Sequence, residues 1–483
     1  MIRWPYIISV VGVLTLCLGL TMIFSLIVSL YYGDQSLFSI MLSILITIGC
    51  GLFMYLIFRG TAIESISPRE GMAIVSFGWV AVSLFGALPF FFGLESCSLT
   101  DAFFESISGF TTTGASVMQD IEKIPKGILF WRSLIQWLGG MGIIVLSLAV
   151  LPFLKVGGMQ LYKAEVPSPV PDKLKPRIKE TAETLWKVYI LLSVLQVIFL
   201  LLGGMSLFES LCHTFTTLPT GGFSPRNASI AHYQSTYFDT VFIIFMMLAG
   251  INFTLHYQLL KGKPLAFWRD SECRFYLGLL VILICIVSIN IYGDIYNRIG
   301  DSIRFGAFQV VSIMTTTGFA TADYVQWPAM SQLILLLCMF IGASAGSTGG
   351  GVKCLRVLLL FKFCYRELIS LVHPRAVTHI KIGGRSVPDD IVRSIIGFLA
   401  LYVGLFVVCS ILLAALGVDF ITSLGAVAAS IGNIGPGFGL VGPAGNYAAL
   451  PPLGKWLLAG CMLLGRLEIY TVIIFLAPEF WRK

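Results

Sequence analysis

The sequence predicts an all-α polytopic membrane protein. Four M1–pore-loop–M2 repeats surround one pore with pseudo-fourfold symmetry, after two extra N-terminal transmembrane helices. Three observations predict this. The 483 residues are 57% hydrophobic and only 12% charged, where a soluble domain has roughly 25% charge. Long apolar runs follow one another along the chain, and mean hydropathy is +0.89. A short polar segment ending in glycine returns four times, as "GFTTTGAS", "TLPTGGFS", "TTTGFAT" and "GNIGPGFG".

The apolar runs come first. Backbone groups in lipid must be bonded within the spanning structure, which leaves helices or closed barrels. Barrel strands would show alternating polarity over roughly 10 residues. The run over 6–32 is longer and unbroken, so helices are expected. It is too long for a signal h-region and reads as a retained helix. The 11 cysteines are scattered without a CxxC and read as buried apolar residues, while the five histidines form no ligand-spaced cluster.

Spans are expected near 6–31, 37–59, 71–93, 128–154, 183–204, 237–260, 275–293, 331–360, 392–416 and 453–477. If they alternate, three basic connections share a side. One carries Lys155, Lys163, Lys173, Lys175, Arg177 and Lys179; the next Lys261, Lys263, Arg269 and Arg274; the third Lys362, Arg366, Arg375, Lys381 and Arg385. Asp34, Glu95, Asp120, Glu122, Asp294 and Asp323 fall on the other. Excess Lys and Arg marks the cytoplasmic side, so both termini are expected there. The basic connections set topology and can also dock a cytosolic partner. Domain boundaries follow the pairs of spans: 1–65 for the N-terminal unit, then repeats at 66–160, 161–262, 263–362 and 363–483.

The repeated segment gives the functional reading. With Glu105, His213, Gln309 and Ala426 as position one, Gly114, Gly222, Gly318 and Gly435 each stand at position ten. The glycines lie 108, 96 and 117 residues apart. A single "TTTGA" is an ordinary turn; four copies at matched places in four hairpins are a repeat. Each lead-in is too short to span, and reentrant backbone is tolerated where it is buried or lines a watery cavity. A helix entering from outside aims its partly negative C-terminus at the membrane centre, which favours a cation. The residues after it can offer carbonyls in place of a hydration shell. Glycine supplies the positive φ this needs, and small hydroxyl side chains let four strands approach.

At this point the chain resembles the membrane subunit of bacterial Trk-type potassium uptake systems, in the superfamily that includes the Ktr and plant HKT transporters. The matching stretches are "DAFFESISGFTTTGAS", "QWLGGMGIIVL", "GGMQLYKAEVPSP", "GASAGSTGGGVK", "LLLFK", "HPRAV", "GNIGPGFG" and "GRLEIY", spread over essentially the whole chain. The resemblance implies a filter of Thr112, Thr113, Gly114 and Ala115; Thr220, Gly221, Gly222 and Phe223; Thr316, Thr317, Gly318 and Phe319; and Asn433, Ile434, Gly435 and Pro436. Only the first and third keep the threonine pair, which implies a less regular filter than a fourfold channel has. Glycine rather than serine at Gly114 goes, within the family, with potassium over sodium. The resemblance also implies a transported potassium ion, a homodimer in the bacterial inner membrane, and a cytosolic TrkA-like regulatory subunit that binds NAD, ATP or ADP. No nucleotide motif and no nucleic-acid partner are expected in this chain.

The run Gly342, Ala343, Ser344, Ala345, Gly346, Ser347, Thr348, Gly349, Gly350 and Gly351 interrupts the second helix of the third repeat. So much glycine cannot hold a regular helix. It is either a small-residue packing face or, as in the family, a loop across the path below the filter. Lys353 follows at once, where a cation would repel potassium. Charged residues within a span are functional candidates. Arg466 and Glu468 are such a pair, two apart and so in need of separate partners. Arg466 is expected to donate to loop carbonyls. Gln136, Trp137 and Asn252 read as packing residues, and Glu105 and Glu209 as complements to pore-helix starts. The rival function is a sodium- or proton-coupled secondary transporter, whose inverted repeats would place equivalent segments on opposite sides. No nucleophile–base pair or HExxH supports an enzyme.

Overall fold

The computed structural model describes residues 2–58, 67–150, 178–374, 379–383 and 385–482. Lys155, Lys163, Lys173, Lys175, Arg177, Arg375 and the boundaries expected at 65/66 and 160/161 lie outside them. The described residues are mostly helical. Six helices are long and apolar enough to cross a membrane, with two further bent pairs.

Helices α1 (Trp4–Tyr32) and α2 (Leu37–Phe58) form the N-terminal hairpin. Gly12 and Gly51 let their backbones touch: a β-carbon on Gly12 would lie 2.9 Å from the Gly51 carbonyl. The turn has Gly33 at φ 60°. Asp34 locks it, accepting from Ser29 Oγ at 2.5 Å and from Gly127 N, in the first repeat, at 2.8 Å.

Each repeat then has the same order. The first comprises α3 (Pro68–Gly86) with its continuation α4 (Leu88–Gly93), the short α5 (Leu99–Phe110), and α6 (Lys126–Val150). The second has α7 (Ile178–Leu202), the short α8 (Leu207–Thr217), α9 (Thr236–Ala249) and α10 (Phe253–Leu260). After a connecting turn, α11 (Ala266–Arg269), the third has α12 (Ser271–Ile291), the short α13 (Ile299–Met314), α14 (Ala329–Ile341) and α15 (Cys354–Val372). A small hairpin, β1 (Lys381–Ile382) with β2 (Arg385–Ser386), leads to α16 (Asp389–Ala415), the short α17 (Phe420–Ile431), α18 (Pro452–Arg466), α19 (Tyr470–Ile473) and the terminal α20 (Pro478–Trp481).

Three of the four short helices begin at a side-chain cap, while α13 begins after Arg298 without one. Ser98, Ser206 and Asp419 accept from the amides of Asp101, Glu209 and Thr422, each three residues on, at 3.1, 3.3 and 3.0 Å. Such caps satisfy amides that a helix start leaves free. The pore helices pack between the long helices. Their last turns are buried in the middle of the bundle.

Two expected spans are unexpectedly bent, and a third is interrupted where its glycine-rich run predicts. The span at 237–260 bends by 99° between α9 and α10, and that at 453–477 by 112° after Arg466. The span at 331–360 gives way to irregular backbone between Ile341 and Cys354. Hydropathy does not register these breaks, because the residues flanking them are apolar. The causes are local. Asn252 caps α10, its Oδ1 accepting from Thr254 N at 2.9 Å, so it does more than pack. Glu468 and Ile469 take positive φ. The broken backbone is satisfied by other broken backbone: Ser344 N donates to Gly250 O at 3.0 Å and Phe253 N to Gly346 O at 3.1 Å. This is how irregular chain survives at membrane depth.

Candidate functional site

The four short helices end in four nearly identical turns. Thr112, Thr220, Thr316 and Asn433 have φ of 52°, 57°, 62° and 54°, and the glycines two residues on have 81°, 72°, 79° and 98°. The residue between has ordinary negative φ. This alternation of hand turns successive carbonyls to the same side. Threonine in a left-handed conformation costs about 1–2 kcal/mol, so the surroundings must hold it there.

They do so through the amides. Thr113 N, Gly221 N, Thr317 N and Ile434 N donate back to Ser108, Thr216, Ser312 and Ala429 carbonyls at 2.8, 2.9, 2.8 and 2.9 Å. In a trans peptide the C=O opposes the N–H. The carbonyls of Thr112, Thr220, Thr316 and Asn433 therefore point away from their own helices.

The segments also close a ring. A β-carbon on Gly114 would collide with the carbonyl oxygen of Gly221, one on Gly222 with that of Thr317, and one on Gly318 with that of Ile434. On Gly435 it would lie 2.7 Å from the carbonyl of Thr113, back in the first segment. Each glycine thus serves two needs, positive φ and direct contact with the next segment. The second need is invisible in one repeat alone.

Side chains brace the ring from behind, differently in each repeat. Glu105 is fully buried and accepts from Val117 N at 3.0 Å and Ser116 Oγ at 3.0 Å, fixing the strand that leaves the first segment. Arg132 pairs with it at 2.6 Å and donates to Ser224 O at 3.0 Å, joining the first and second repeats. Glu105 sits in the middle of α5, so the expectation that it complements a helix start is corrected. Glu209, in the first turn of α8, does fit that expectation, and it also accepts from Arg226 Nε at 2.9 Å. Gln136 is another correction. Its amide clamps the second segment, donating to Gly221 O at 2.7 Å and accepting from Phe223 N at 3.1 Å. Trp137 packs as expected, stacked on Tyr189. In the fourth segment Asn433 Nδ2 reaches Thr113 Oγ1 at 3.0 Å, and Tyr447 OH donates to Gly435 O at 2.6 Å. The two segments that depart from the threonine pair thus have extra side-chain ties.

Directly against the ring lies the glycine-rich loop. Gly350 N donates to Thr316 Oγ1 at 2.6 Å, and Gly350 abuts the Gly432 carbonyl too closely for a β-carbon. Thr348 Oγ1 donates to Leu218 O at 2.8 Å. The loop therefore touches the ends of three pore helices. Arg466 supplies the fourth tie: its guanidinium donates to Thr348 O at 2.9 Å and to Gly139 O and Gly140 O, on α6 of the first repeat, at 2.7 and 3.0 Å. Lys353 is buried and its ammonium donates to Gly349 O. Glu468 pairs with Arg356 instead of with its near neighbour Arg466.

With this geometry in view, the similarities to known proteins can be placed. The TrkH family profile, described as a cation transport protein, matches residues 37–483. The chain belongs to the TrkH family. It is therefore a multi-pass membrane transport protein and not an enzyme. The Trk system potassium uptake protein TrkH of Salmonella typhimurium is 42% identical over 478 residues, 98% of each chain. TrkH of Halomonas elongata is 41% identical over 480 residues, 99% of each. TrkG of Escherichia coli is 37% identical over 476 residues, covering 98% of this chain and 97% of the other. The crystal structure of the potassium transporter TrkH from Vibrio parahaemolyticus superposes with a TM-score of 0.89 at 38% identity, over 99% of this chain and 100% of that one.

Against this family background, Arg132 and Tyr447 are the bracing residues that sequence reading passed over. Arg132 carries a legible signal, a lone cation within an otherwise apolar stretch of α6. Tyr447 carries none, because its partner lies across a loop.

Proposed function

We propose that the protein takes up potassium, and rubidium in its place, across the bacterial inner membrane. The ion passes through the ring of Thr112, Thr113 and Gly114; Thr220, Gly221 and Gly222; Thr316, Thr317 and Gly318; and Asn433, Ile434 and Gly435. One observation carries the reading: four segments with the same alternation of φ close a ring in which each glycine abuts the next segment's carbonyl. Ringed carbonyls replace an alkali ion's hydration shell. The relatives are described as potassium uptake proteins, which supports potassium as the cargo.

The loop Gly342–Gly351 is the gate in this reading. It lies against the ring, has little side-chain bulk, and is tied by Arg466 to the first repeat. The charges of Lys353 and Arg466 beside it oppose a cation. Basic connections put both termini in the cytoplasm. There a cytosolic TrkA-like subunit binding NAD, ATP or ADP sets the gate of a homodimer. The relatives' description as parts of a Trk system supports such a partner.

Uptake of radioactive rubidium into sealed liposomes, with potassium or sodium as competitor, tests the reading. Potassium is expected to compete at concentrations at least tenfold below sodium. Equal competition by the two ions would overturn the filter assignment.

A further inference from the structure

We propose that Glu272 is the latch that holds the glycine-rich loop in its closed position. The inference rests on the reading of that loop as the gate and names the residue that sets its resting state.

One oxygen of the Glu272 carboxylate accepts two backbone bonds. Ala345 N donates to it at 2.6 Å and Leu355 N at 3.1 Å. These two amides bracket residues 346–354, which include Lys353 and the residues Thr348 and Gly350 that bond to the short-helix ends and the ring. A single carboxylate therefore staples the loop shut across its two ends. Carboxylates are short, strong acceptors for backbone amides.

The placement suits a fixed anchor. Glu272 lies in the first turn of α12, whose start is capped by Asp270 accepting from Cys273 N at 2.7 Å. Leu355 is the second residue of α15. The carboxylate thus sits at two helix N-termini, where partial positive charge favours an anion. Helix α12 packs along the pore helix α13, so the anchor is tied to the same repeat as the ring. The loop is the lighter partner, since its glycines impose little conformation of their own.

The latch can also be reached. A pocket of about 740 Å³ is lined by Glu272 and Leu355 together with Lys263, Arg269, Ser386 and Val387. It opens among the basic connections, on the face where a cytosolic partner is placed above. Movement of the 261–270 connection or of the 381–386 hairpin therefore acts next to the carboxylate. Arg466 holds the loop from the side of the ring, and Glu272 holds it from the side of this pocket.

The test compares rubidium influx into liposomes by purified Glu272→Gln, Glu272→Ala and Glu272→Asp, without any partner and normalised to reconstituted protein. Arg466→Ala is the reference. Glu272→Gln is expected to raise basal flux several-fold and Glu272→Ala more. Glu272→Asp keeps the carboxyl group but withdraws it by one methylene, and should fall between native and Gln. Potassium-to-sodium preference should stay native in all three, a result that general damage to the fold would not give. Should Gln and Ala fail to reach the membrane, Asp alone decides, and native flux from it overturns the latch. If Arg466→Ala raises flux while the Glu272 variants match or fall below native, the latch is wrong and the gate stands. If none of the four raises flux, the gate reading itself falls.

Discussion

The ring and the loop beneath it are both rich in glycine, yet they are held in opposite ways. In the ring, each segment is bonded to its own helix: the amide of Thr113 returns to Ser108, and its three counterparts do the same. The conformation is local and repeats four times. The loop has bonds of its own, such as Cys354 N to Ala343 O at 2.9 Å, but its position is also fixed by anchors from elsewhere in the chain: Leu218, Glu272 and Arg466. A structure held by its own backbone is expected to be rigid. One held by a few side chains from other elements can be released by losing them. The difference supports the proposal that one glycine-rich stretch serves as a filter and the other as a gate.

The largest effect should come from the brace behind the ring. Arg132→Met leaves the buried Glu105 carboxylate unpaired, and breaking such a pair costs about 3–5 kcal/mol. Thermal unfolding in detergent should drop sharply, with loss of transport. A native melting temperature would mean that the ring does not depend on this brace.

Arg466→Ala should separate the two regions. It removes the one charge-assisted bond to the loop, at Thr348 O, worth about 1.5–3 kcal/mol, together with the loop's tie to Gly139 and Gly140, and leaves the ring's own bonds intact. Basal rubidium flux is expected to rise by at least about tenfold, which corresponds to about 1.4 kcal/mol, with ion preference unchanged. Altered preference without increased flux would erase the distinction between filter and gate.

Gly114→Ser probes the ring itself. The new β-carbon meets the Gly221 carbonyl, so the first and second segments must move apart. Discrimination of potassium over sodium should fall by up to about tenfold, again about 1.4 kcal/mol, while basal leak stays native. Competition assays in liposomes read both quantities.

The smallest change is expected for Tyr447→Phe. It removes one hydroxyl that donates to Gly435 O, a bond worth about 1 kcal/mol. A two- to fivefold shift in ion preference, without increased leak, would show that the irregular fourth segment is tuned by its tie. No shift would assign the hydroxyl to packing alone.

The sequence alone determined the membrane character, the four-part repeat and the glycine that recurs at position ten of each short segment. All of these depend on local chemistry: apolar length, and the positive φ that Gly114 and its counterparts adopt. It also paired Arg466 with the loop, because a guanidinium within a span needs acceptors and a glycine-rich loop leaves carbonyls free to serve. Only the tertiary structure decided that the spans at 237–260 and 453–477 are broken, since hydropathy averages over an Asn252 or a Glu468. Only it could show that Gln136 clamps Gly221, that Glu105 needs Arg132, and that Glu272 staples the loop. Each of these is a hydrogen bond between repeats or between distant elements. A polar residue's type says that it must find a partner when buried; which partner it finds is set by helices that meet only when the chain has closed its ring.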